Sequence, residues 1–64
     1  MRMMEEEARQ LLKAHGWSLI RRKRREQEYL YARRWGYKEK YLSSLRKLPA
    51  LTEEEVLGKI TRAS

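Results

Sequence analysis

The sequence predicts a small α+β domain of order α-β-β-β-α, in which a three-stranded antiparallel sheet carries two helices on one face. Three observations carry that prediction: apolar residues at helical spacing up to Gly16, a helix-capping pattern at Thr52, and a middle segment whose apolar residues alternate instead of recurring every turn.

The first helix is expected over residues 1–16, because Met4, Ala8, Leu11, Leu12 and His15 fall on one helical face. Glu5, Glu6 and Glu7 stand near its start and Lys13 near its end, which suits the helix macrodipole. Gly16 supplies a C′ stop, and Trp17 directly after it is expected in the core, joining helix to sheet. In the middle, good helix formers leave a continuous helix from Ser18 to Arg34 open on propensity. Such a helix would carry no apolar anchor from Arg21 to Glu28, whereas three short strands account for the clustering. A basic meander is therefore expected over residues 17–45, with strands Trp17 to Lys23, Glu28 to Arg34 and Lys38 to Leu45. Arg24 to Gln27 form the first turn, and Trp35, Gly36 and Tyr37 the second. The last helix, residues 52–62, has the plainest local signature. Thr52 and Glu55 form a capping box, Leu51 and Val56 a hydrophobic staple, and Leu57 and Ile60 complete one apolar face.

Alternation assigns Ile20, Leu30, Ala32 and Leu42 to the face under the helices and leaves Leu19, Arg21, Tyr29, Tyr31, Arg33 and Tyr41 outward. A slip of one residue exchanges the faces and buries Tyr29 and Tyr31 with Trp17 and Leu19. Either way, some arginines end on an uncovered sheet.

Charge is the most informative part of the composition. Between Trp17 and Lys47 there are seven Arg and four Lys against three Glu, a net +8, while the whole chain carries +7. The same block holds every Trp and Tyr. Arginine interleaved with aromatic residues offers phosphate neutralisation together with stacking or wedging on bases. At 64 residues the chain is one domain with little core to bury, and it has no Cys to staple it, so homodimerisation is one expected route to extra stability. Asn and Asp are absent while Glu, Lys and Arg abound, a bias that fits a thermophile or its mobile element. No apolar run approaches the roughly 20 residues of a membrane span, and Met1 to Gly16 does not read as a signal peptide. A cytoplasmic, nucleoid-associated protein is expected.

The order of elements and residue types resembles the AP2-like domains, which include plant AP2 modules and the arm-type DNA-binding domains of phage and transposon integrases. The carriers are the basic first strand from Leu19 to Arg25, the second from Glu28 to Arg34, the third from Lys40 to Ser43, and the helix from Thr52 to Ile60. The resemblance implies that the sheet enters the DNA major groove and that the helix packs on its back. It departs from the family at Ser43, where a Gly is usual, and in the additional amino-terminal helix.

Duplex DNA is the partner these features favour, with RNA as a second class of ligand and no membrane. The nucleic-acid-binding residues are expected to be Arg21, Arg22, Lys23, Arg24, Arg25, Tyr29, Tyr31, Arg33, Arg34, Trp35, Lys38 and Lys40, with Arg21, Arg33 and Tyr31 facing the groove. Each has a plainer reading. The Arg21 to Arg25 run also serves as a solvated hairpin tip that keeps an edge from aggregating, and tyrosines suit any pleated surface. The alternatives to a regulatory or architectural DNA-binding protein are an RNA-binding or ribosome-associated module and an adaptor for an acidic protein. Catalysis is not expected. His15 is the only imidazole, no Cys or Asp is present for a nucleophile or metal site, and there is no Gly-rich phosphate loop. No cofactor is implied.

Overall fold

Helix α1 (Glu5–Ala14) starts on three glutamates and ends near Lys13, so its charges oppose the partial charges of its termini. Its end is a Schellman motif. The Gly16 N–H donates to the Lys13 carbonyl at 3.0 Å and the Trp17 N–H to the Leu12 carbonyl at 2.8 Å, while Gly16 takes φ +82°, which a side chain would strain. The motif drives Trp17 into the core beside Leu12, as expected, and the chain passes straight into the sheet. At the other end the expectation fails by one residue, since Met3 is buried and Met4 is exposed. Met4 is the N-cap, in extended conformation, and so lies outside the helical period that was used to place it. His15 is likewise the C-cap, exposed, and not part of the buried stripe.

The computed structural model describes residues 3–61. The fold is α+β with the order α-β-β-β-α. Strands β1 (Ser18–Arg24), β2 (Gln27–Arg33) and β3 (Lys40–Ser44) form an antiparallel sheet in the order β1-β2-β3. Arg24 pairs with Gln27, so the first turn is only Arg25 and Glu26, and β1 is displaced one residue along the chain from its expected range. The second connection begins with a turn in which the Tyr37 N–H donates to the Arg34 carbonyl at 3.0 Å. Gly36 takes φ +83° at its third position, as a type II turn requires.

That short first turn sets the register of β1, and the register corrects its faces. Leu19 lies opposite Ala32 and Arg21 opposite Leu30, while Ile20 lies opposite Tyr31 and Arg22 opposite Tyr29. Residues directly opposite share a face. Ile20 therefore stands on the open face and Leu19 and Arg21 on the covered one, the reverse of the expectation, whereas Tyr29, Tyr31, Leu30 and Ala32 are where alternation put them. In β3, Ser43 pairs with Leu30 and Tyr41 with Tyr31, so Leu42 is an extra residue in a β-bulge. The bulge lets two consecutive residues, Leu42 and Ser43, be buried together.

After β3 a single 3₁₀ turn, Leu48–Ala50, leads to helix α2 (Glu53–Thr61). Its start is the expected capping box. The Glu55 N–H donates to the Thr52 hydroxyl at 3.2 Å, and the Thr52 N–H donates to Glu55 Oε1 at 3.1 Å. Residue 62, the expected end of this helix, lies outside the described residues. Helix α1 packs on β1, α2 packs on β3, and the helices touch each other. Together they bury one core of Met3, Ala8, Leu12, Trp17, Leu30, Ala32, Leu42, Leu48, Val56 and Ile60, flanked by Leu57 and Leu51. The other face of the sheet has no layer over it among the described residues.

Candidate nucleic-acid interface

The open face is built by every second residue of β1 and β2 and by the bulge in β3. It presents Ile20, Arg22 and Arg24 from β1, Gln27, Tyr29, Tyr31 and Arg33 from β2, and Tyr41 from β3. The three tyrosines form one cluster at its centre. Tyr31 and Tyr41 meet edge to face with centroids 5.5 Å apart, and Tyr29 and Tyr41 are tilted at 6.3 Å. Such cross-strand aromatic pairs stabilise a sheet face that no helix covers among the described residues. Tyr29 and Tyr31 are half-buried, and Tyr41 is exposed.

Arginines surround the cluster. The Arg22 guanidinium lies over the Tyr31 ring at 5.8 Å, and its Nε and Nη2 donate to the two carboxylate oxygens of Glu39 at 3.2 and 2.6 Å. The hydrogen bond to Glu39, then its charge, raise the Arg22 pKa above the ordinary arginine value, so the group stays cationic. Arg24 and Arg25 sit at the hairpin tip and with Gln27 and Tyr29 line an open recess of about 420 Å³. Arg24, Arg25, Arg33 and Lys38 are exposed and make no ion pair with any described residue. Lys23, also at the tip, is exposed as well.

Five of the expected site residues, Arg21, Lys23, Arg34, Trp35 and Lys40, stand off the open face; Lys23 lies opposite Glu28 on the covered side. Arg21 does not face outward with Tyr31; on the covered side it bridges Glu5 of α1 at 3.2 Å and Glu28 of β2 at 3.4 Å, so it ties the helix to the sheet. Arg34 lies over the Tyr37 ring at 4.8 Å, and Tyr37 packs on Trp17 at 5.5 Å, a stack that closes the sheet against the end of α1. Lys40 lies opposite Ala32 on the covered side and is half-buried. Trp35 is 95% exposed at the end of the sheet away from the hairpin tip.

Reasoning from sequence missed Glu39, Ile20 and Gln27. The last two follow from strand parity once the turn is known to be two residues long. Glu39 is 17 residues from Arg22, and nothing local signals the pair. On the helical side the charge reverses. The first turns of α1 and α2 hold Glu5, Glu6, Glu7, Glu53, Glu54 and Glu55, and Glu6, Glu7 and Glu53 rim a groove over Met3 and Leu11. The domain measures 30 × 28 × 19 Å along its principal axes.

His15 Nδ1 donates to the Leu11 carbonyl at 3.1 Å, a bond within the helix end. Among the described residues, no group of three or more His, Cys, Asp or Glu is placed to hold a metal ion, and no helix is long and apolar enough to cross a membrane. Comparison with known proteins found no matching family model, no matching curated protein and no matching solved structure.

Proposed function

We propose that this protein binds duplex DNA with the open face of its sheet. The observation that carries the reading is a cationic, tyrosine-centred sheet face with no covering layer among the described residues, while six of the nine glutamates are gathered on the opposite side. In this reading Arg24, Arg25, Arg33 and Lys38 neutralise phosphates and supply most of the affinity, and the tyrosines make the contact at the centre. Dimensions support it. Two neighbouring strands are about 5 Å apart and a seven-residue strand about 23 Å long, and a major groove about 12 Å wide admits a two-stranded β-ribbon, so two strands of the sheet fit the groove together. Tyr31 and Tyr41 are packed edge to face and Tyr29 is tilted against Tyr41, so the rings are not laid flat as separate platforms, which favours a duplex over stacked single-stranded bases. Helix α2 packs on β3 behind the sheet, and in the AP2-like reading such a helix carries stability while the strands carry recognition.

A titration of a labelled random-sequence duplex by fluorescence anisotropy at several salt concentrations tests this. A log–log slope of about −3.6 or steeper, equivalent to four or more neutralised phosphates, is expected. No binding at low salt would overturn the reading and direct attention to RNA or an acidic protein partner. A large preference for one site over random DNA would make the protein a regulator, and little preference an architectural, nucleoid-associated protein.

A further inference from the structure

We infer that Arg22, held in place by Glu39, is a guanine-reading residue, so that the sheet selects bases as well as binding phosphates; the inference rests on the duplex-DNA reading of the open face. A guanidinium presents two forks of N–H donors. The side-on fork of Arg22, Nε and Nη2, is taken by the Glu39 carboxylate at 3.2 and 2.6 Å. The end-on fork, Nη1 with the second hydrogen of Nη2, has no hydrogen-bond partner among the described residues. Two parallel N–H groups in one plane are the complement of guanine O6 and N7 in the major groove. Adenine offers an acceptor beside a donor at that edge, and cytosine only a donor, so neither satisfies both N–H groups.

The surroundings of Arg22 point the same way. The residue is central on β1, opposite Tyr29 and over Tyr31, where a side chain in the groove reaches base edges; Arg24 and Arg25 at the tip reach the phosphate walls instead. An arginine fixed by a carboxylate and a ring loses less freedom when it binds than one that is solvated on all sides. The pair has no net charge and therefore adds little to counterion release. A carboxylate so close to a phosphate-binding surface weakens general affinity, and what remains to the pair is a directed pair of donors. Glu39 is thus a positioning residue and Arg22 the specificity-determining one.

Selection of sites from a random duplex library by the wild type, Arg22→Lys and Glu39→Gln tests the assignment, followed by titration of the selected duplex with the guanine replaced by 7-deazaguanine, which lacks only the N7 acceptor. The wild type is expected to enrich a site with an invariant guanine and to lose affinity on the order of 10-fold with the deaza base. Arg22→Lys should weaken the preference at that position alone, because an ammonium still reaches O6 and N7 but lacks the planar fork that Glu39 holds in place. Glu39→Gln should bind random duplex more tightly, since an acid is removed, yet discriminate several-fold less, a split that mere loss of folding would not produce. Duplex binding without a guanine preference, or a preference that both variants keep, would overturn this inference and leave the parent reading standing. Absence of any duplex binding by the wild type would overturn both.

Discussion

Strand β2 has two sides that share a backbone and little else. Leu30 and Ala32 are fully buried under the helices, and Tyr29, Tyr31 and Arg33, one residue out of phase, lie on a face that no helix covers. The covered side is held by shape and volume, since its members touch the cores of both helices. The open side is held by pair contacts across strands, tyrosine on tyrosine and Arg22 on Glu39. If the open side binds DNA as proposed, stability and recognition lie on opposite sides of one sheet, and substitutions at neighbouring positions should separate them.

The largest expected effect is on the covered side. Leu30→Ala should cost about 2–5 kcal/mol, which approaches the whole stability of a domain this small. Urea unfolding followed by circular dichroism measures it. A loss below about 1 kcal/mol would mean that the helices do not depend on the sheet for their burial. Tyr31→Ala, one residue away, should lower duplex affinity by on the order of 10-fold and stability by about 1 kcal/mol or less. Should Tyr31→Ala instead unfold the protein, the tyrosine cluster would be a second core and the separation of roles would fail. Arg33→Ala sharpens the same contrast. Its salt slope should flatten by about 0.9, one phosphate contact, at unchanged stability within about 0.5 kcal/mol.

Legibility in the sequence followed the range of the interactions. The Thr52–Glu55 box and the Gly16 stop are decided within a few residues, and both were readable because their donors and acceptors are local. β2 was readable because it alternates over its full length. β1 was not, since Leu19 and Ile20 are adjacent and five basic residues follow, so only the length of the turn settles which one is buried. The bulge at Leu42 leaves no mark in the residue pattern. Arg21 and Arg22 look alike in sequence, yet one is a strut between α1 and the sheet and the other stands on the open face. That difference is made by partners distant in the chain, Glu5 and Glu39.

A smaller effect tests the helical layer by itself. Thr52→Ala removes the hydroxyl that accepts the Glu55 N–H and should cost about 1 kcal/mol, read as a lower urea midpoint. The duplex affinity of the molecules that remain folded should not change, because α2 lies behind the sheet. A matching fall in affinity at full folding would show that the helix, too, contacts DNA.

The smallest expected effect is also the one in which the two roles oppose each other at a single residue. Arg25 has φ 59° at the first position of the hairpin turn, a region where a side chain crowds the backbone and where such turns favour Gly. Arg25→Gly relieves that crowding, although glycine returns some of the gain through its greater freedom in the unfolded chain. The net should be a stabilisation of about 0.5 kcal/mol, seen as a small rise in Tm. The same change removes a tip cation, so the salt slope should flatten by about 0.9. A more stable and weaker-binding variant would show that the tip keeps a strained arginine for its charge. If Arg25→Gly is stabilised with no change in slope, Arg25 does not meet phosphate, and the phosphate contacts are left to Arg24, Arg33 and Lys38.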